Sequence, residues 1–144
     1  MQTVRDILKK KGNLIASVRP QATVFEALQV MAEKNIGAVL VLEGGRPVGI
    51  LSERDYARNV ILKGKASKDT PVSEIMTSRV VFVRPQQSIE ECMALMTDKR
   101  VRHLPVIEAD QLLGILSIGD IVKAVISEKQ FLIEQLENYI SSGG

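Results

Sequence analysis

The stretch Gly49-Ile50-Leu51-Ser52-Glu53-Arg54-Asp55 returns 65 residues later as Gly114-Ile115-Leu116-Ser117-Ile118-Gly119-Asp120. The match extends upstream without a gap, so that residues 19–55 lie over 84–120. Arg19-Pro20-Gln21 falls on Arg84-Pro85-Gln86, and Met31 falls on Met96. A duplication of this length is one fold unit used twice. Two copies related by a pseudo-two-fold make clefts between them, and the repeated Ser and Asp then come in pairs.

Each copy carries the same local signals. Thr23-x-x-Glu26 and Ser88-x-x-Glu91 are capping boxes, in which hydroxyl and carboxylate satisfy the free N–H groups of a helix start. Val24, Ala27, Leu28 and Met31 follow at the spacing of one helical face, as do Ile89, Cys92, Met93 and Met96. Residues 14–18 form a short β-rich stretch, 36–42 an apolar run of strand length, and 48–51 a second strand. Glu43-Gly44-Gly45-Arg46-Pro47 is the turn of the hairpin between them. Ser52 opens another helix carrying Tyr56, Val60 and Ile61. Each unit therefore reads β-α-β-β-α, an α/β (α+β) fold. Residues 4–8 and 72–76 lead into the two units. The expected organisation is a first unit over 1–63, a linker over 64–71, a second unit over 72–126, and a C-terminal helix with its tail over 127–144. On that helix Leu132, Leu136, Tyr139 and Ile140 share a face, and 141–144 is expected to fray.

Composition narrows the function. The 144 residues carry a net charge of +2 with scattered basic residues, whereas a nucleic-acid footprint needs a concentrated patch. Aromatic residues make up 3%, too few for a row of base-stacking platforms. The chain has one cysteine, Cys92, and one histidine, His103, which cannot build a closed Cys/His zinc site. Cys92 shares an apolar face with Ile89 and Met96, which suits a core residue better than a nucleophile. Neither G-x-x-x-x-G-K-[ST] nor G-x-G-x-x-G occurs. No leader or membrane-spanning run is expected, and the reading is a cytoplasmic protein without catalytic residues.

Ser52-x-x-Asp55 and Ser117-x-x-Asp120 have two readings. Each is a helix cap at a strand-to-helix junction, worth about 1 kcal/mol. Each also presents free N–H groups and the positive end of a helix to an anion, beside a carboxylate that can accept hydrogen bonds from a ribose diol. Arg102-His103 precedes the second hairpin, where the first copy has Gly37-Ala38. Arg102 is either a solvated surface residue or a phosphate partner. Arg54 places a cation next to Asp55 in the first copy only.

Taken together, Pro20-x-x-Thr23-Val24-x-x-Ala27, the two Gly-Ile-Leu-Ser-x-x-Asp segments and Arg102-His103-Leu104-Pro105-Val106 resemble a tandem pair of cystathionine-β-synthase (CBS) domains, the Bateman module, over about residues 1–127. The chain is similar to small stand-alone bacterial CBS-pair proteins. The resemblance implies a non-catalytic regulatory module. Its ligand would be an adenine nucleotide, AMP or NAD first, then ADP, ATP or S-adenosylmethionine, held in clefts across the pseudo-two-fold. One cleft would use Ser117, Ile118 and Asp120, with Ile15, Ala16, Gly37 and Ala38 bordering the adenine. The other would use Ser52, Arg54 and Asp55, with Val80 and Val81 against the base. Arg102 and His103 would face phosphate. A homodimer signalling to a separate partner is implied. The alternatives are a dimerisation scaffold without a ligand and an enzyme acting on an adenosyl compound.

Overall fold

The computed structural model describes residues 2–12 and 15–143, with side chains to residue 141. Leu14, the first residue of the expected strand over 14–18, and Gly144 of the expected tail lie outside the described residues.

In chain order the elements are α1 (Val4–Lys11), β1 (Ser17–Val18), α2 (Val24–Lys34), β2 (Ala38–Glu43), β3 (Arg46–Ser52), α3 (Glu53–Tyr56), α4 (Val72–Ile75), α5 (Ile89–Lys99), β4 (His103–Glu108), β5 (Gln111–Ser117) and α6 (Ile118–Gly143). A π-helical turn, Ala57–Ile61, continues α3. The chain forms two compact units. One holds the chain from β1 to Val80 with residues 109–112. The other holds α1, residues 81–108 and the chain from 113 onward.

The unit of the first repeat is a three-stranded sheet, β1-β2-β3. β1 runs parallel to β2, with Ser17 opposite Leu40, and β2 pairs antiparallel with β3, with Ala38 opposite Ser52. The hairpin turns through Gly44 and Gly45, both at positive φ (60° and 79°), as a two-residue turn that follows the strand twist requires. Val24, Ala27 and Met31 of α2 pack with Val39, Val41, Leu51 and Val60, as the apolar spacing predicts. Ile61 departs from that spacing. The π-helical turn changes the rotation per residue, and Ile61 faces solvent while Val60 is buried. The segment over 64–71 is pinned rather than loose. Thr70 is buried, its carbonyl accepts the Val24 N–H at 2.9 Å, and its hydroxyl donates to Ala66 O at 2.7 Å.

The second-repeat unit repeats this plan with β4 and β5, and Val83 bridges Val106 in parallel, 65 residues after Val18 pairs with Val41. Ile89, Cys92 and Met96 of α5 are buried with Leu104, Val106, Leu116 and Ile121, whereas Met93 turns outward. Its hairpin turns through Ala109 and Asp110, at φ 51° and 62°.

The short helices leading into each repeat sit with the other repeat. α1 precedes the first copy, yet Val4, Ile7 and Leu8 are buried in the second-repeat core, and the Val4 and Arg5 N–H groups donate to Gln87 O and Pro85 O. α4 precedes the second copy, yet Val72 and Ile75 are buried in the first-repeat core, and Val72 N–H donates to Ala22 O.

No break in the backbone marks the expected start of a separate helix at residue 127. α6 is one 26-residue helix, continuous from the second repeat's final helix to Gly143. No Gly or Pro falls between Gly119 and Gly143 to break it. For the same reason residues 141–143 continue the helix where a frayed tail was expected.

Candidate functional site

Both Ser-x-x-Asp segments fold into capping boxes where a strand ends and a helix begins. At the first junction Ser52 N–H and Ser52 Oγ each donate to Asp55 Oδ2 at 3.0 Å, and Asp55 N–H returns to Ser52 Oγ at 3.1 Å. At the second, Ser117 N–H and Oγ donate to Asp120 Oδ2 at 2.8 and 3.0 Å, and Asp120 N–H returns at 3.2 Å. Every one of these carboxylate contacts uses Oδ2. Oδ1 of Asp55 and of Asp120 takes no hydrogen bond among the described residues. The serine thus fixes the orientation of the carboxylate while one oxygen stays open as an acceptor.

The cap alone is not diagnostic. Thr3 and Asp6 make the same box at the start of α1, with Thr3 N–H and Oγ1 donating to Asp6 Oδ2 at 3.0 and 3.2 Å. What distinguishes the other two is their place at the end of a sheet strand, beside the residues that start the neighbouring strand. Gly37 O accepts the Glu53 N–H at 3.0 Å, and Arg102 O accepts the Ile118 N–H at 2.9 Å. Gly37 and Ala38 therefore adjoin Ser52, and Arg102 and His103 adjoin Ser117.

Ser52, Arg54, Asp55, Gly37 and Ala38 thus belong to one unit, together with Ile15, Ala16 and Val80. Ser117, Ile118, Asp120, Arg102, His103 and Val81 belong to the other. Ala16 and Ala38 are buried, Ile15, Gly37, Val80, Val81 and His103 are half-buried, and Arg54, Arg102 and Ile118 are exposed.

Sequence reasoning missed one residue here. Lys11, at the end of α1, donates from Nζ to Asp120 Oδ2 and to Ile115 O, both at 2.6 Å. Burial pushes the Asp120 carboxyl up, but the Lys11 ammonium and the Ser117 hydrogen bonds outweigh it and hold the group below its ordinary value. A run of Lys9-Lys10-Lys11 ending a helix signals only a favourable dipole contact. Nothing local says that the third lysine meets a carboxylate 109 residues away. A cavity of about 340 Å³ opens beside this pair, lined by Lys10, Lys11 and Lys123 around Asp120, with Ile7 and Ala124 also lining it. Three ammonium groups around one carboxylate give it a positive balance. No cluster of three or more metal-ligating side chains occurs among the described residues.

The CBS domain family matches residues 4–61 and 72–127, and the chain belongs to that family as a tandem pair. It is 37% identical to the mitochondrial CBS domain-containing protein CBSX3 of Arabidopsis thaliana, over 98% of this chain and 73% of the relative. A CBS-domain protein from Burkholderia ambifaria superposes with a TM-score of 0.85 at 51% identity, covering 88% of this chain and 95% of that one. The CBS domain protein PAE2072 from Pyrobaculum aerophilum, solved in complex with AMP, shares the fold at a TM-score of 0.74 and 24% identity, over 83% of this chain and 89% of that one. CBS-pair proteins are regulatory modules and are generally non-catalytic. No helix among the described residues is long and apolar enough to cross a membrane.

Proposed function

We propose that this protein is a regulatory module that binds an adenine nucleotide with a free ribose diol, AMP or NAD, and passes the signal to a partner protein. The observation that carries the reading is the repeated carboxylate, oriented by a serine through Oδ2 and open at Oδ1. A diol hydroxyl donating to that oxygen makes a charge-assisted hydrogen bond. At Asp120 the depressed carboxyl value keeps the acceptor ionised, and the positive balance of the adjoining cavity suits a phosphate-bearing ligand. The Pyrobaculum protein bound to AMP supports the reading at the level of the fold. In this assignment the half-buried or buried Ile15, Ala16, Gly37, Ala38, Val80 and Val81 face the base. Arg54, Arg102 and His103 face phosphate, with Ile118 beside them. The protein acts as a homodimer, and the cytoplasm is its proposed location. Its only thiol is buried in a core, with no second cysteine in this sequence to pair with.

Calorimetry tests the assignment. Asp120→Ala and Asp55→Ala should each weaken AMP binding at their own junction by about 1–3 kcal/mol. Removing the 2′-hydroxyl from the ligand should cost part of the same energy. Arg102→Ala should reduce affinity for AMP more than for adenosine. A 2′-deoxynucleotide that binds as tightly as its parent, or aspartate variants with unchanged affinity, would remove the diol contact. Absence of any nucleotide binding would leave the ligand-free scaffold.

A further inference from the structure

Within the second-repeat unit, α1 lies antiparallel to the start of α6. Lys11 at the end of α1 meets Asp120 in the first turn of α6, and the Gln2 N–H ahead of α1 donates to Glu128 Oε1 at 3.2 Å. Between these two ties runs the cavity of about 340 Å³, at the small end of the range for ligand pockets. Lys123 and Ser127 line it one and two turns beyond Asp120, so it extends about 10 Å along α6 from the junction. The buried Ile7 and Ala124 give it an apolar floor. Its donors are largely unpaired. Lys10 and Lys123 enter no ion pair among the described residues. The side-chain amide of Gln2 and the hydroxyl of Ser127, which line the far end, make no hydrogen bond among them either.

The first repeat does not build the same groove. Val72 N–H donates to Ala22 O as Val4 N–H donates to Gln87 O, and Ala22 and Gln87 are matched by the repeat, so α4 answers to α1. α4 stops at Ile75, before the positions that answer to Lys10 and Lys11. The helix that answers to α6 passes into the π-helical turn at Ala57, and Leu62 stands where Ser127 does.

We infer that the groove between α1 and α6 is a second binding site, for a small organic phosphomonoester, separate from the nucleotide contacts at the junction. Three ammonium groups and one carboxylate leave it a surplus of positive charge. A phosphomonoester carries about −1.5 to −2 at pH 7 and matches that surplus. Lysine ammoniums bind phosphate as point charges, so they do not need a fixed bidentate geometry. The carbon skeleton rests on Ile7 and Ala124, and its hydroxyls reach Gln2 and Ser127. Glu128, tied to the Gln2 N–H, puts a carboxylate at the far end. A dicarboxylate would bring its second charge toward Glu128, so the ligand is charged at one end only. The nucleotide assignment places phosphate at Arg102 and His103 and gives no contact to Lys10, Lys123, Gln2 or Ser127.

Glycerol 3-phosphate is the probe, titrated into the full chain and followed by calorimetry and by amide NMR shifts. It should bind saturably, one per chain, and move the signals of Lys10, Lys123 and Ser127, whereas glycerol should not bind. Inorganic phosphate, which lacks the skeleton, should bind about fivefold more weakly. Lys10→Gln and Lys123→Gln should each weaken the probe about fivefold, with folding unchanged because both side chains are exposed. Lys65→Gln, an exposed lysine of the other unit, should leave the affinity as it was. Saturating AMP should leave the probe bound. No saturable binding, or equal losses in all three lysine variants, overturns the inference, the second because it would mark diffuse attraction. Phosphate binding as tightly as its ester overturns the organic ligand. Displacement of the probe by AMP, one for one, overturns the separate site and returns the anion to the nucleotide's own phosphate position. A chain that binds the probe in this way but not AMP keeps this inference and removes the nucleotide.

Discussion

Lys11 on α1 and Asp120 on the first turn of α6 form a 2.6 Å ion pair that ties the start of the chain to the second Ser-x-x-Asp junction. The side chains are 32% and 18% exposed, so the pair is partly shielded from water. It is one point at which the two repeats are not equivalent. Asp55 has the same serine cap, and no ion pair to Asp55 is seen among the described residues.

Replacing Lys11 with Met keeps the aliphatic stem and removes the charge. We expect a loss of about 1 kcal/mol of stability at pH 7, the upper end for a pair of this exposure. Because Asp120 titrates below its unfolded value of roughly 3.9, the stabilisation is present above that value. It disappears as pH falls through the native one. Urea unfolding at pH 7, 5 and 3 should show wild type and variant equally separated at the first two, with the gap narrowing at the third. A separation that persists unchanged into acid would assign the effect to packing rather than to the ion pair.

The contrast between the hairpins gives a second expectation. The first turn places glycine at both positive-φ positions, whereas the second places Ala109 and Asp110 there. An L-residue with a Cβ costs about 1–2 kcal/mol in the left-handed region, and aspartate bears it more easily than alanine. Ala109→Gly removes the strain but frees the unfolded chain, which gives back about 0.4–1 kcal/mol. The variant should be more stable by several tenths of a kcal/mol, read as a raised denaturation midpoint with an unchanged slope. Destabilisation would mean that the Ala109 methyl makes a contact outweighing the strain.

The elements legible in the sequence are those written locally. The capping hydroxyls of Thr23 and Ser88, the turn glycines and the 65-residue shift each depend on neighbours a few positions away, and each is found where the pattern puts it. The exchange of α1 and α4 between repeats was not legible. It depends on contacts such as Val4 N–H to Gln87 O, which leave no periodic trace. Lys11 was hidden for the same reason. The continuity of α6 was legible in the lack of any Gly or Pro between Gly119 and Gly143, although the end of the second repeat suggested a separate helix from residue 127. At the candidate site the sequence supplied the Ser and Asp of both junctions. It could not show that each serine uses one carboxylate oxygen and leaves the other.

Cys92 offers a check on the second-repeat core. It is fully buried on α5 among Ile89 and Met96. Burial first, and the neighbouring Glu91 charge second, push its thiol up to about 11. The thiolate is the reactive form. A thiol reagent at pH 8 should therefore leave the native protein essentially unlabelled and modify one cysteine rapidly in denaturant. Native labelling at the rate of a free thiol would show that α5 opens readily, and that this core is looser than its packing indicates.

The lead-in helices make the sharpest packing prediction, because each presses on the glycine that begins a Gly-Ile-Leu-Ser segment. A Cβ added at Gly49 would stand 2.5 Å from Met76 Sδ, 2.9 Å from Met76 Cγ and 3.1 Å from Thr77 O. One added at Gly114 would stand 2.8 Å from Leu8 Cδ2, with the other Leu8 atoms near 3.8 Å. Both distances are too short for van der Waals contact, so both alanines overpack, at a typical cost of about 1–3 kcal/mol. The two should differ. At Gly114 the obstacle is the far end of one leucine, which can rotate. At Gly49 a backbone carbonyl stands behind the methionine, and Thr77 is held to Ile50 by N–H···O bonds in both directions, at 2.9 and 3.0 Å. Gly49→Ala should therefore cost more than Gly114→Ala in equilibrium unfolding. Shortening the obstacle should separate them further. Leu8→Val should recover part of the loss at Gly114, relative to Leu8→Val alone, whereas Met76→Val should recover less at Gly49, because the carbonyl remains. Equal costs with equal rescue would show that the methionine is the whole of the obstacle and that the backbone at Thr77 gives way.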